Sequence, residues 1–192
     1  HKLSGTFASA EEAASEFDPS RIRLFDTLNV SMGTGLQSIA AARKAAQGGS
    51  LDECYAAAAE SQNNCKLAFV VNTLKYLKMG GRIGGAAHLL GTALNLKPLL
   101  GIEDGAVVSV ERVRTRKKSL QMLVKMVLDE VKGMKDIRLV VLHANDPDAA
   151  KEVKAEIMAE IEPDECITTL FTPAIGVHSG PGAIGIAYTF EK

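Results

Sequence analysis

Along the first third of the chain, apolar residues recur at intervals of three and four, the spacing typical of amphipathic helices. This pattern predicts helices over residues 6–17, 36–46 and 50–64, the last of which opens with an S-x-x-E capping box. A short apolar run at residues 22–25 predicts a strand that leads into a glycine-containing turn. The amino-terminal part of the chain is therefore predicted to be mainly helical.

From residue 65 the pattern changes to nearly continuous apolar runs, which are typical of strands in a sheet covered on both faces. These runs predict strands over residues 67–71, 98–103, 106–110, 137–142, 166–170 and 183–188, and helical spacing predicts helices over 86–94, 120–131 and 146–161. The Asp104-Gly105 pair between two of the runs predicts a β-hairpin, so the sheet contains antiparallel strands. We therefore predict an α/β protein with a mixed sheet and a domain boundary near residue 65.

The composition of the chain excludes several functional classes. With 46% hydrophobic residues among 192, the chain can bury one large core or two small ones. Its 22 basic and 23 acidic residues give a net charge of −1, which creates no overall attraction to nucleic acid or to an anionic membrane. The three cysteines form no C-x-x-C pair and no run of 18 apolar residues occurs, so we expect a cytoplasmic protein without a zinc site or a membrane span.

The first candidate for ligand chemistry is the glycine-rich stretch PAIGVHSGPG over residues 173–182. We predict a loop here, because Gly176, Gly180 and Gly182 allow backbone conformations that are closed to other residues. Such a loop can present His178 as a polar anchor. The apolar strand predicted directly behind it places this anchor at the rim of an apolar interior.

A second candidate site lies where the first predicted helix begins. Ser4, Gly5 and Thr6 combine unpaired backbone amides with two hydroxyl groups, and this combination suits a carboxylate or a phosphate. Ordinary N-capping of the helix by Ser4 or Thr6 explains the same residues, and periodicity alone favours that explanation.

Two further stretches combine glycine with polar side chains. In the turn before the second helix, Ser31, Gly33 and Thr34 are predicted at the carboxyl edge of a sheet, where open α/β folds bind ligands. Close packing of helix on strand explains this turn equally well. Arg82 lies among four glycines, where its guanidinium can bind a carboxylate or phosphate, or else a backbone carbonyl at a domain contact.

A basic cluster precedes the fifth predicted helix and contains Arg112, Arg114, Arg116, Lys117 and Lys118. Cations in the first turn of a helix oppose its dipole, so helix stability does not explain the cluster. A solvated surface is the default interpretation, and a docking patch for an acidic or phosphate-bearing partner is the second. Nucleic acid is a weaker third interpretation, because no aromatic residues are interleaved.

Five motifs, taken in order, resemble those of the DegV family, whose members bind fatty acids and include the lipid-carrying subunits of bacterial fatty acid kinases. The motifs are LSGT at residues 3–6, SMGTG at 31–35, FVVNTLKYL leading into GGRIG at 69–84, VRTRKK at 113–118 and HSGPG at 178–182. Together they span nearly the whole chain.

The resemblance implies a two-domain α/β fold that encloses one long-chain fatty acid, such as palmitate, in an apolar interdomain pocket. Residues 1–64 then form the carboxyl-terminal part of a Rossmann-like first domain, and residues 65–192 form a second α/β domain with a mixed sheet. By the same resemblance, Ser4 and His178 bind the carboxylate of the fatty acid. The further expected head-group or turn contacts are Gly5, Thr6, Ser31, Gly33 and Thr34.

The resemblance also implies a carrier whose bound lipid is phosphorylated by a separate ATP-dependent kinase. The expected contacts with phosphate or partner are Arg82, Arg112, Arg114, Arg116 and Lys117. We expect no cofactor and no metal. Two departures from the family pattern stand out: the family's additional amino-terminal segment, which carries a T-S-Q-P-S-like loop, is absent, and Asn72 stands where aspartate is common.

Two other functions fit the residues. One is a small-molecule phosphotransferase-like enzyme in which His178 is a nucleophile or base and the glycine turns hold phosphate. The other is an interaction module that uses the basic cluster. A carrier is favoured, because no paired carboxylates are positioned for acid–base chemistry and no G-x-x-x-x-G-K-[ST] loop for ATP is present.

Overall fold

The computed structural model describes residues 2–91 and 96–191, so the end of the predicted helix over 86–94 lies outside the described residues. Its helices are α1 (Thr6–Ala14), α2 (Ser31–Ala46), α3 (Leu51–Asn64), α4 (Lys75–Met79), α5 (Arg116–Val131), α6 (Pro147–Glu160) and α7 (Pro173–Ser179), with a 3-10 helix over Gly84–Leu89. Its strands are β1 (Lys66–Val70), β2 (Leu99–Glu103), β3 (Ala106–Glu111), β4 (Lys135–His143), β5 (Glu165–Leu170) and β6 (Ile184–Glu191).

The strands form one sheet in the order β3-β2-β1-β6-β4-β5. Strands β4 and β5 run parallel, whereas the other neighbouring pairs are antiparallel. Strands β2 and β3 form the predicted hairpin, and its turn residues Asp104 and Gly105 have φ of 47° and 70°. Two positive φ values suit a type I′ turn, which matches the twist of the strands. The prediction of an α/β fold with a mixed sheet is confirmed.

The two faces of the sheet carry separate apolar cores, because side chains alternate along each strand. On one face, Ala68 and Val70 of β1 pack with helices α5 and α6. On the other face, Leu67 and Phe69 pack with Leu36 of α2. Helices α2 and α3 cover this second face at β6, and a cavity lies over the part formed by β1, β2 and β3.

Local sequence signals fix the ends of several helices. The predicted capping box is present, because Ser50 Oγ accepts the Glu53 amide and the Glu53 carboxylate accepts the Ser50 amide at 2.7 Å. The bond from the Ser50 amide holds the pKa of the Glu53 carboxyl below its usual value. Thr115 caps α5, and Asp146 caps α6 ahead of Pro147 at its first position.

The predicted strand over residues 22–25 is wrong, since these residues belong to no helix or strand. Phe25 packs against Tyr55 of α3 instead, with ring centroids 5.2 Å apart and the rings at 88°. Such an edge-to-face contact is favourable for aromatic rings. The apolar run therefore serves as a packing surface for a helix and not as part of a ladder.

The predicted loop over residues 173–182 is wrong in its first part, because Pro173–Ser179 forms α7. Proline at the first position of a helix has the φ that the helix requires. The turn is confined to the following residues, where Gly180 and Gly182 have φ of 77° and 76°. The glycines of this stretch thus end a helix and do not create a long loop.

Other helices also differ from their predicted extents: α2 begins at Ser31, inside the predicted glycine turn, and α5 begins at Arg116 and not at residue 120. Helix α1 ends at Ala14, three residues early, α4 was not predicted, and a 3-10 helix replaces the start of the helix predicted over 86–94. The division into domains 1–64 and 65–192 stays a prediction. None of the helices in the described part of the chain has both the length and the apolar composition needed to cross a bilayer.

Candidate functional site

The cavity over the sheet has a volume of about 630 Å³. Its apolar floor is formed by Leu67 and Phe69 of β1, Ile102 of β2 and Val107 of β3. Volumes of roughly 300–1,000 Å³ are typical of small-molecule sites. The cavity is therefore large enough for a ligand with an extended apolar part.

Polar side chains from the amino-terminal segment, the start of α2, the Gly80 turn and the end of α7 also line this cavity. The predicted site residues among them are Ser4, Thr6, Ser31, Thr34, Arg82 and His178. Gly5, Gly33 and the basic cluster are not among the lining residues. The fold thus brings six predicted residues from distant parts of the chain to one cavity.

Ser4 and Thr6 form a hydroxyl pair at the start of α1. Their Oγ and Oγ1 atoms are 2.7 Å apart, and Ser4 Oγ accepts the Thr6 backbone N–H at 3.2 Å. The residue in the N-cap position is Gly5, without a side-chain cap bond. One hydroxyl hydrogen lies between the two oxygens, and within the described residues the other has no acceptor. Both residues are exposed, so this hydrogen is available to solvent or to a ligand.

His178 ends α7, and its imidazole lies against Gly80. A Cβ placed on Gly80 would come within 2.0 Å of His178 Nδ1. This Nδ1 atom is buried and has no hydrogen-bond partner among residues 2–91 and 96–191. In the same way, a Cβ on Gly180 would lie 2.2 Å from the ring of Tyr76. Both glycines leave room for a ring, so their motifs shape the wall of the cavity.

The guanidinium of Arg82 connects two parts of the site. Its Nε donates to the Leu3 carbonyl at 2.9 Å, and its Nη1 donates to the Gly80 carbonyl at 2.7 Å. Leu3 precedes Ser4, and Gly80 lies against His178. The alternative of a carbonyl-bound arginine therefore describes Arg82 here, and its effect is to hold the segments of Ser4 and His178 together.

The glycine turn predicted before the second helix is instead the first turn of α2, which begins at Ser31. Ser31 and Thr34 line the cavity, and Thr34 Oγ1 lies 2.9 Å from Thr27 Oγ1. A Cβ on Gly33 would lie 2.0 Å from Asn29 Oδ1. Gly33 thus leaves room for the Asn29 side chain, which belongs to the segment before α2 and not to a strand.

The basic cluster lies outside the cavity and divides into two kinds of residue. Arg112, Arg114 and Lys117 are exposed. Arg116 instead donates to the Asp146 carboxylate at 3.0 Å and so joins the start of α5 to the start of α6. Burial lowers the pKa of the Arg116 guanidinium, and its buried Nη1 has no partner in the described part of the chain.

Sequence analysis missed Ser179 and Asn29, which also line the cavity. Ser179 is 4% exposed, and its Oγ has no hydrogen-bond partner within the described ranges. The residue lies in the HSGPG motif, but a predicted loop gave no reason to expect a buried hydroxyl there. Asn29 had no signal beyond its nearness to the turn at Gly33.

The described residues contain no group of three or more His, Cys, Asp or Glu side chains that could hold a metal ion. Their titratable groups are instead distributed among surface ion pairs and helix caps. The chemistry available at the cavity is therefore hydrogen bonding by hydroxyl, imidazole and guanidinium groups, by the Asn29 amide and by the Asp26 carboxylate, above an apolar floor.

Comparison with known proteins gives a consistent result. A family model described as "Uncharacterised protein, DegV family" matches residues 1–191. A DegV domain-containing protein of Clostridium acetobutylicum is 37% identical over 194 residues, covering 99% of this chain and 68% of that protein. The structure of a DegV family protein from Thermus thermophilus, described by its fatty acid binding, has a TM-score of 0.92 at 37% identity and covers 98% of this chain and 68% of its own.

DegV of Bacillus subtilis, described as a fatty acid binding protein, has a TM-score of 0.88 at 29% identity, with 99% of this chain and 68% of that chain covered. The present chain spans about two thirds of the length of the curated relatives that it matches. These matches extend over nearly all of the elements described above.

Proposed function

The chain belongs to the DegV family, and we propose on this basis that it binds one long-chain fatty acid, such as palmitate, in the cavity over the sheet. The acyl tail lies on the apolar floor, and the carboxylate lies at Ser4 and His178. The observation that carries the proposal is that these two polar residues, far apart in sequence, line one cavity with an apolar floor.

The apolar floor supports an acyl chain as the main source of affinity. Each methylene buried on such a surface contributes about 0.8 kcal/mol, so a tail of many methylenes outweighs a few head-group bonds. Two relatives with closely similar folds are described as fatty acid binding proteins. The polar groups then orient the ligand and select a carboxylate.

The hydroxyl pair at the start of α1 supports Ser4 as a donor to this carboxylate. If Thr6 donates to Ser4, then Ser4 Oγ accepts two bonds, one from the Thr6 hydroxyl and one from the Thr6 amide. A hydroxyl has two acceptor lone pairs and one hydrogen, so the hydrogen of Ser4 is left for the ligand. This arrangement presents one donor of fixed direction.

The contact of His178 with Gly80 supports the imidazole as the second donor. A buried acceptor without a partner costs less than a buried N–H without one, so Nδ1 is the nitrogen that lacks hydrogen in the uncharged ring. Nε2 then carries the hydrogen and donates it to the carboxylate. Arg82 uses Nε and Nη1 on backbone carbonyls, which leaves Nη2 for a phosphorylated head group.

The protein acts in this proposal as a cytoplasmic carrier without a cofactor of its own, and a separate ATP-dependent kinase phosphorylates the bound carboxylate. The exposed cations Arg112, Arg114 and Lys117 support a docking surface for that kinase. Arg116 is committed to Asp146 and supports the surface from within. Charge attraction of this kind raises the rate of encounter with an acidic partner.

Lipid analysis of the complete gene product tests the binding proposal. We expect solvent extraction and mass spectrometry of the purified protein to find one long-chain fatty acid per chain. A double variant, Ser4→Ala with His178→Ala, is expected to retain much less. A folded protein that contains no lipid and takes up no added palmitate would contradict the proposal.

An ATP-consumption assay with added fatty acid separates a carrier from an enzyme. We expect turnover only when a fatty acid kinase subunit is present. Turnover by the isolated protein that is lost in His178→Ala would favour the phosphotransferase alternative. Absence of turnover with the kinase, in a protein that binds fatty acid, would remove the kinase partnership and leave the binding proposal intact.

A further inference from the structure

The apolar floor of the cavity stops at β6, the strand next to β1. On this face of the sheet the chain presents small residues at and near the start of β6: Ala183 just before the strand, and Gly185 and Ala187 within it. Gly185 is paired with Phe69 of β1. The ring of Phe171 fills the space above this glycine, since a Cβ on Gly185 would lie 2.8 Å from Phe171 Cζ.

Phe171 is held by its backbone, and its ring is the part that faces the ligand space. The Phe171 amide donates to the His143 carbonyl at 2.9 Å, which continues the pairing of β5 with β4 by one residue. The side chain is 8% exposed and lines the cavity. The ring thus lies across the path on which the floor would continue from β1 onto β6.

We propose that Phe171, seated on Gly185, is the wall that limits the acyl chain on the β6 side, so that this pair determines which chain lengths the protein accepts. The inference rests on the proposed fatty acid binding and adds a specificity determinant to it. It depends on two properties of the pair: the bulk of the phenyl ring and the missing side chain beneath it.

Two substitutions change the wall in opposite directions. Phe171→Ala removes the ring and opens the space above Gly185, so longer chains gain contact. Gly185→Ala places a methyl group where the ring tip lies and moves the ring toward the cavity. Each methylene that gains or loses burial changes Kd about fourfold.

The experiment measures Kd for decanoate, myristate, palmitate and stearate with the delipidated complete gene product. For Phe171→Ala we expect the ratio of stearate to myristate affinity to rise at least tenfold, and for Gly185→Ala we expect it to fall at least tenfold. Gly101→Ala is the matched control. It adds the same methyl group to β2, opposite Ala68 and therefore on the far face of the sheet.

The outcomes separate this inference from the function on which it rests. If wild-type protein binds fatty acids but both variants change all four affinities by one common factor, or not at all, the wall assignment is overturned. If wild-type protein binds none of the four, the proposed function fails and the inference fails with it. If Gly185→Ala does not fold, the ratio of stearate to myristate affinity in Phe171→Ala alone decides whether the wall assignment holds.

Discussion

Gly80 and His178 are in direct contact, and a Cβ on Gly80 would come within 2.0 Å of the imidazole Nδ1. The backbone does not require glycine here, because Gly80 has φ of −80° and ψ of −3°, values open to any residue. The glycine is required by the ring. A methyl group at residue 80 therefore changes the position of His178 and leaves the local backbone unstrained.

Gly80→Ala is expected to weaken palmitate binding nearly as much as His178→Ala. Loss of a hydrogen bond to a charged group costs about 1.5–3 kcal/mol, or roughly tenfold or more in Kd. Titration calorimetry with delipidated protein measures the effect. Gly176→Ala is the control. Gly176 lies on the same helix as His178, and a Cβ there meets no atom within 4 Å outside the backbone of that helix. Unchanged affinity in a folded Gly80→Ala protein would contradict the role of His178.

Ser4→Ala is expected to cost more binding energy than Thr6→Val. The first change removes the donor to the carboxylate, worth about 1.5–3 kcal/mol, whereas the second removes only the group that directs it. Both are compared with Ser15→Ala, which removes an exposed hydroxyl just after the same helix. If Thr6→Val cost as much as Ser4→Ala, the donor would not be assigned to Ser4.

Arg82→Lys is expected to weaken fatty acid binding although it keeps the charge. Lysine cannot reproduce the two bonds of the guanidinium to the Leu3 and Gly80 carbonyls. The segment of Ser4 then loses its connection to the Gly80 turn. Hydrogen exchange measured by mass spectrometry is expected to be faster at residues 2–6. Wild-type exchange together with weaker binding would instead indicate a direct contact between Arg82 and the ligand.

Arg114→Ala and Arg116→Ala are expected to have different effects. Arg114 is exposed, so its loss lowers kinase-dependent ATP turnover and leaves the melting temperature unchanged. Loss of Arg116 leaves the half-buried Asp146 without its partner and lowers the free energy of unfolding by about 1–2 kcal/mol. Thermal melts and the ATP-consumption assay with the kinase distinguish the two variants. Full turnover in Arg114→Ala would remove this residue from the docking surface.

Stability is expected to fall between pH 9 and pH 10 because of Cys65. Burial raises the pKa of this thiol from 9.0 to about 11, and its S–H donates to the Gly33 carbonyl at 3.2 Å. The unfolded chain therefore loses the proton at lower pH than the folded chain. The stability that the protonated thiol contributes is present below pH 9 and declines toward pH 11, by up to about 1.4 kcal/mol per pH unit.

Urea denaturation at pH 8.5, 9.5 and 10 measures this slope. Cys65→Ala is expected to flatten it, and an equal slope in both proteins would assign the loss to other groups. Burial also raises the pKa of Tyr188, but an unfolded tyrosine ionises only near pH 10. Burial raises the pKa of the Cys166 thiol as well, so the difference between the wild-type and Cys65→Ala slopes isolates the contribution of Cys65.

Features that depend on neighbouring residues were predictable from the sequence. The Asp104-Gly105 turn and the Ser50–Glu53 capping box were found because a few adjacent residues decide each conformation. Prediction failed where distant contacts decide. Residues 22–25 have the composition of a strand, yet Phe25 finds its partner in Tyr55 of α3.

The site was predictable in part for the same reason. Motifs led to Ser4 and His178, but only the fold brings both to one cavity. The glycines around Arg82 drew attention to its guanidinium, and the role of Gly80 is to leave room for the ring of His178. No sequence pattern singled out Phe171. Its ring lies against Gly185 of β6, and no local pattern connects these two residues.

The position of β6 in the sheet has a consequence for biosynthesis. This strand lies between β1 and β4, and without it the strands form two separate pieces, β3-β2-β1 and β4-β5. It is also the last of the described strands to leave the ribosome, so the two pieces remain unjoined until residue 191 has been made. Pairing between segments so distant in sequence is slow. Until β6 has been made, the described strands therefore lack the one that joins them, and this is the interval in which chaperones have most to protect.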